Sequence, residues 1–305
     1  MMERLHIVVM SGGPSAEREV SLRSGVAVSR ALRVLGHQVS DLDPIDDGWN
    51  LPKGTDLVFL TLHGTYGEDG QVQVHLESLD VPFTGADSSA SRVAFDKALA
   101  KECLREAGVP TPAWAVVDSP NAARPLDLET PLVLKPVCQG SSVGLRFVDS
   151  GDQWAEAVMD VLKHDDRVLA ELRVMGREVT VGIVGGETLP MVEVRPKKGT
   201  YDYHNKYTAG ATDYFCPADF DTAATQEIQA VALAACGDLG VRDCAQVDII
   251  VDEAGRPTVL EVNTLPGMTE TSLLPKAAAV SGMTFEGLCG RIVELAMVRD
   301  VSMAN

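Results

Sequence analysis

The sequence predicts a chain of mixed α/β and α+β class, with an open parallel α/β sheet domain at the N-terminus and antiparallel α+β structure after it. Three observations carry this reading. A strand, a Gly-rich turn and an amphipathic helix follow one another between Leu5 and Leu35; after Gly108-Val109-Pro110 short strands succeed each other with few helices; and a hairpin, Val247 to Val262, lies near the end. At 305 residues and 45% hydrophobic content, the chain is long enough for two or three packed domains.

The first unit starts with the apolar strand Leu5 to Met10 and the turn Ser11 to Ser15. A helix follows, with Val20, Ala27, Val28, Ala31, Leu32 and Leu35 at helical spacing and Gly36 as its stop. Gln38 to Leu42 and Leu57 to Leu62 supply two more strands, the latter ending at His63-Gly64. In open parallel sheets ligands bind beyond the carboxyl ends of strands, which is where the Ser11-Gly12-Gly13 turn and His63 fall. Next come a helix (Asp96 to Ala107), strands at Ala113 to Val117 and Pro131 to Pro136, a helix (Gln153 to His164), and strands at Val168 to Val174 and Glu178 to Val184. The remainder reads as a strand near Pro190 to Arg195, a polar loop through Ala218, a helix (Ala223 to Leu239), the hairpin, and a closing helix near Phe285 to Val298. This gives units at 1–90, 91–184 and 185–305.

Composition narrows the partners. Against 26 Lys and Arg stand 44 Asp and Glu, and the net charge of -18 disfavours nucleic acid and anionic membranes. No apolar run approaches the roughly 20 residues that span a bilayer, and Met1 to Met10 lacks the features of a signal peptide, so a cytoplasmic location is expected. The six cysteines (Cys103, Cys138, Cys216, Cys236, Cys244, Cys289) form no C-x-x-C pair, and neither a zinc site nor a disulfide framework is indicated.

The hairpin carries the clearest chemistry. With a two-residue turn at Ala254-Gly255, Asp248 faces Glu261, and Asn263 shares the face of Glu261 because side chains alternate along a strand. Three oxygen donors on one face are the hard set that magnesium prefers, although an isolated pattern of this kind also fits a solvated acidic face. The loop Gln139-Gly140-Ser141-Ser142-Val143-Gly144 suits a backbone cradle over phosphate, or a plain polar turn; it is not a Walker loop. Lys97 and Lys135 precede it. Lys135, flanked by Pro131-Leu132-Val133-Leu134 and Pro136, sits on a strand that reads as buried and calls for an anionic partner. His63 is either structural or a ligand-binding residue at the sheet edge.

Taken in order, seven segments resemble one family, the D-alanine:D-alanine ligases of the ATP-grasp superfamily, which make a dipeptide for bacterial peptidoglycan. They are GGPSAEREVSLRSG (12–25), HGTYGEDGQVQ (63–73), FDK (95–97), LKPVCQGSSVG (134–144), GREVTVGI (176–183), YDYHNKY (201–207) and LEVNTLPGMTETSLLP (260–275). The resemblance implies a three-domain ATP-grasp fold with ATP between the central and C-terminal lobes. It implies that Glu17, His63 and Ser141 position the first D-alanine, and that Ser272, Leu273 and Tyr207 form the second subsite. Lys97, Lys135, Ser142, Glu171, Glu178 and Lys206 would serve ATP, and Asp248, Glu261 and Asn263 two magnesium ions, with manganese as a substitute and a monovalent cation as a further candidate. The Gly267 N–H would help hold an oxyanion, and Tyr207, bonded through Ser141 towards Glu17, would fix a lid. D-alanine and ATP are the implied small-molecule partners, and a homodimer is the assembly common in the family.

One position departs from the family pattern. Where the strand before the metal Asp usually reads R-[IV]-D, this chain reads Gln246-Val247-Asp248, so a cation is replaced by a neutral amide. By the hairpin pairing Gln246 lies opposite Asn263, inside the site. Losing such a donor typically costs on the order of 100- to 1000-fold in turnover, and Arg242 is the nearby candidate to compensate.

Overall fold

The computed structural model describes residues 4–46, 48–199, 208 and 210–303. Strands β1 (His6–Met10), β2 (Gln38–Leu42) and β3 (Leu57–Leu60) form a parallel sheet in the order β2-β1-β3. Both faces of β1 are covered. Ile7 and Val9 pack with Val28, Leu32 and Phe59, while Val8 and Met10 pack with Val58, Val72 and Leu76, which is why the strand is apolar throughout rather than alternating. Helix α1 (Arg18–Val34) joins β1 to β2. Its buried face is made largely of small residues, Ser21, Ser24, Gly25 and Ser29 beside Val28, Ala31 and Leu32, and not of Val20 and Leu35 as expected from spacing. The cause is close approach: a Cβ on Gly25 would lie 2.4 Å from the Cβ of Ser11, so the helix lies directly on the turn after β1.

Two further helices, α2 (Gln71–Ser78) and α3 (Ser88–Phe95), fall where no element was expected. In Gln71-Val72-Gln73-Val74-His75-Leu76 the apolar residues alternate as in a strand, yet Val72, Gln73 and Leu76 are buried and Val74 is exposed. Helix α4 (Lys97–Glu106) is capped by Asp96, whose carboxylate accepts from the N–H groups of Ala98 and Leu99 at 3.0 Å.

The central unit is an antiparallel sheet of β4 (Trp114–Val117), β5 (Leu132–Pro136), β6 (Arg146–Val148) and β7 (Val168–Leu172), in the order β4-β7-β5-β6. Helix α5 (Trp154–Val161) covers one face against Leu132, Leu134, Val148 and Ala170. The other face, carrying Val133, Lys135 and Glu171, looks into a cleft.

Across that cleft stands the second antiparallel sheet, built from β8 (Arg177–Val184), β9 (Glu187–Thr188), β10 (Val192–Pro196), β11 (Thr212–Phe215), β12 (Cys244–Val251) and β13 (Pro257–Asn263), in the order β11-β10-β8-β12-β13 with β9 on β8. Strand β8, grouped by sequence with the central unit, pairs with β12 from Arg177 to Val184 and with β10, so its hydrogen bonds belong to this sheet. Strand β11 runs through the stretch read as a polar loop. Helix α6 (Thr222–Asp238) packs on β12 and β13. Helices α7 (Leu273–Val280) and α8 (Phe285–Met303) follow, and Leu288, Ile292 and Val293 of α8 join the core under β1 and α1, tying the end of the chain to its start.

The β12–β13 hairpin pairs Asp248 with Glu261 and Gln246 with Asn263, as expected, but by another route. The turn has three residues, Glu253 to Gly255, closed by Gly255 N–H to Asp252 O (2.9 Å) and Asp252 N–H to Arg256 O (3.1 Å), with Gly255 at φ 81°. That turn sets Ile249 against Val259; a β-bulge at Leu260 then restores the pairing of 248 with 261. Leu260 and Glu261 therefore both face the cleft, between the buried Val259 and Val262.

Candidate active site

The cleft between the two antiparallel sheets has a volume of about 570 Å³. At its base lies a buried ion cluster. Glu171 places Oε1 2.6 Å from Lys101 Nζ and Oε2 2.6 Å from Lys135 Nζ, and Lys101 also donates to Thr111 Oγ1 at 2.6 Å. Burial pushes the Glu171 carboxyl up, but the two ammonium groups outweigh it and leave it below the usual range. Burial likewise depresses Lys135, and the charges of Glu171 and Glu261 more than reverse this, whereas for Lys101 burial prevails over Glu171 and lowers it to about 8. Two cations on one carboxylate leave an excess positive charge beside the cleft, suited to a polyphosphate. Lys101 was not among the sequence candidates. The available signal was its place between Ala100 and Leu104, on the buried side of α4. Glu178 also lines the cleft. At its rim Glu193 meets burial that would raise its pKa, but Arg177 at 2.6 Å and Arg195 at 2.7 Å hold it down at about 2.

The loop 139–144 separates this cleft from a smaller cavity of about 190 Å³. Ser141 and Ser142 have φ of 52° and 58°, a left-handed conformation that non-glycine residues rarely adopt twice in succession. Ser142 and Val143 line the cleft, whereas Gly140 and Ser141 line the cavity. Lys97 braces the loop by donating to Gln139 O at 2.6 Å, and its Nζ lies 3.6 Å from Glu261 Oε2.

The hairpin forms a wall shared by both spaces: Asp248 and Glu261 line the cleft, Gln246 and Asn263 the cavity. Asp248 accepts from Thr180 Oγ1 at 2.7 Å, Gln246 Nε2 at 3.1 Å and Asn263 Nδ2 at 3.3 Å. Two carboxylates and an amide make an all-oxygen donor set that fits a hard divalent cation. Among the described residues no group of three or more His, Cys, Asp or Glu could hold a metal.

The cavity gathers Glu17, His63, Ser141, Gly267, Ser272 and Leu273. Gly13 N–H and both guanidinium nitrogens of Arg18 bind the Asp43 carboxylate, fixing the turn that delivers Glu17 to the start of α1. Ser141 Oγ donates to Glu17 Oε1. A Cβ on Gly140 would lie 2.4 Å from Glu17 Oε2, so a larger residue here would push that carboxylate out of its place. Ser272 Oγ accepts from Thr269 N–H at 3.1 Å at the head of α7. Tyr207 and Lys206 lie outside the described residues. Sequence reasoning missed Glu68, a cavity residue pushed to about 8 by burial and by the charges of Glu17 and Glu261, against a hydrogen bond from Gly64 N–H at 2.6 Å. It stood inside a quoted motif without a role. Arg242 does not reach the cavity: its guanidinium lies 3.4 Å from Asp87, the cap of α3, and does not stand in for the cation absent at Gln246.

Two family models match this chain, D-ala D-ala ligase N-terminus over residues 35–86 and D-ala D-ala ligase C-terminus over 103–294. The chain belongs to the D-alanine–D-alanine ligase family. It is 46% identical to a D-alanine–D-alanine ligase of Methylacidiphilum infernorum, covering 96% of each chain, and 45% identical to one of Aquifex aeolicus, covering 95% of this chain and all of that one. The crystal structure of the Bacillus anthracis ligase complexed with ATP superposes with a TM-score of 0.87 at 30% identity, covering 98% of this chain and 99% of that one. The VanG D-Ala:D-Ser ligase of Enterococcus faecalis superposes with a TM-score of 0.85 at 26% identity, covering 96% and 100%. The architecture is thus that of the ATP-grasp ligases, and one fold serves acceptors that differ by a hydroxyl.

Proposed function

We propose that this ligase joins two D-alanines at the expense of ATP, with the nucleotide in the cleft and both amino acids in the smaller cavity. The observation that supports this most directly is the shared wall. A phosphoryl group leaving a nucleotide beside Asp248 and Glu261 needs to cross only one strand pair to meet a carboxylate beside Gln246 and Asn263.

In this reading Glu17, oriented by Ser141, holds the ammonium of the first D-alanine beside His63. Its carboxylate oxygen attacks the γ-phosphorus, the bond to ADP breaks, and an acyl phosphate results. The neutral amine of the second D-alanine then attacks the acyl carbon, phosphate departs and the amine proton is lost. The Gly267 N–H supports the oxyanion of that step. Lys97 and Lys135 hold phosphates, and the loop 139–144 keeps water from the acyl phosphate. Asp248, Glu261 and Asn263 would hold magnesium or manganese, which when bound neutralises charge on the transferring phosphoryl.

Coupled detection of ADP and dipeptide from D-alanine and magnesium-ATP tests the reading, with wild type and Gln246→Arg side by side. Equimolar ADP and D-alanyl-D-alanine are expected. The arginine variant should turn over faster, by up to about 100-fold, because it restores a cation beside the reacting carboxylate. Nucleotide binding without D-alanine-dependent ADP, or product only with another acceptor, would overturn it.

A further inference from the structure

We infer that Arg23 holds the carboxylate of the acceptor amino acid, an inference that rests on the ligase reading above. Among the described residues lining the smaller cavity, Arg23 is the single Lys or Arg. It is exposed, and among the described residues it has no hydrogen-bond or ion-pair partner, whereas Arg18 on the same helix is committed to Asp43 at 2.5 and 2.8 Å.

Its position matches the product. Glu17, Val20 and Arg23 all line the cavity at a spacing of three, so they follow one face at the start of α1. At 1.5 Å per residue the backbone advances about 9 Å from Glu17 to Arg23. Two extended residues span about 7 Å. A dipeptide carries an ammonium at one end and a carboxylate at the other, and this helix face offers a carboxylate at one end and a guanidinium at the other. The next residue fastens that turn to the acceptor side: Ser24 Oγ accepts from Met268 N–H at 3.2 Å, beside Gly267 and three residues before the Thr271-Ser272 approach to α7. Among the described residues lining the cavity, this guanidinium is the cation available to the carboxylate that survives the reaction.

The test is steady-state kinetics on Arg23→Gln and Arg23→Lys, with D-alanine and D-alaninamide compared as acceptors. The glutamine variant should raise the KM for acceptor D-alanine on the order of 10- to 100-fold, while the KM values for donor D-alanine and ATP stay within about twofold. Lysine, which keeps the charge, should recover most of the loss. D-alaninamide, which lacks the carboxylate, should be used equally well by wild type and Arg23→Gln. An unchanged acceptor KM, equal losses for D-alanine and its amide, or a parallel rise at the donor site would overturn the assignment. Because Arg23 is exposed and has no hydrogen-bond or ion-pair partner among the described residues, both variants should melt with wild type. A wild type that makes no dipeptide would strike at the ligase reading itself; an active wild type matched by Arg23→Gln would strike at Arg23 alone.

Discussion

The cleft and the cavity are built on different terms. In the cleft each of these charges has a partner before any ligand arrives, with the cations in excess: Lys101 and Lys135 close on Glu171, Arg177 and Arg195 close on Glu193, and Lys97 reaches Glu261. The cavity holds Glu17 and Glu68 on one side, a neutral Gln246 on the wall and the guanidinium of Arg23 at the rim. A space that receives a polyphosphate can be rigid, since the charge it has to meet does not vary. A space that receives two small zwitterions is where chains of one fold diverge, and this chain's departure from the family pattern falls there.

Three experiments would break or sharpen that contrast. Glu261→Gln alters the wall common to both spaces, and turnover should fall on the order of 1000-fold with the fold intact, measured as ADP release beside a thermal melt. Near wild-type turnover would remove Glu261 from the metal set. Glu171→Gln strands two buried ammonium groups, and about 3–5 kcal/mol of stability should be lost in urea unfolding. A loss confined to KM for ATP would mean that the cluster binds nucleotide without holding the fold.

The third concerns pH. Glu68 is raised to about 8 in the folded chain from an ordinary value near 4.5, so between these values the folded state binds the extra proton. Its contribution to stability is complete below about 4.5, falls as pH rises, and is gone above about 8. Lys101, lowered to about 8 from 10.5, acts in the opposite sense only above that. Melting temperature should decline from pH 5 to 8 in wild type, and Glu68→Gln should flatten the decline. Parallel curves for the two proteins would refute the assignment.

Much of this molecule was legible because its signals are local. The strands of the parallel sheet, the helix α4 and the convergence of Asp248, Glu261 and Asn263 follow from apolar runs, helical spacing and strand alternation over short windows. What escaped depends on distant partners. Lys101 reads as a surface lysine until Glu171, seventy positions on, is seen against it, and β8 reads as the neighbour of β7 until β12 claims its hydrogen bonds. Helix α2 shows the converse, a local pattern in the wrong period, settled by which residues meet the core. In Val259-Leu260-Glu261-Val262 the two core valines are three apart where a regular strand would have two, a visible sign of the bulge.

That bulge makes the hairpin a balanced pair of irregularities. The three-residue turn displaces one strand by a position, and Leu260 gives the position back before the strands reach Asp248. Deleting one residue from Glu253 to Gly255 would leave a two-residue turn closed by the same Asp252 and Arg256, with Ile249 still opposite Val259 and the bulge still delivering Glu261 to Asp248. The bulge, and not the length of the exposed turn, is therefore what sets the metal-facing register.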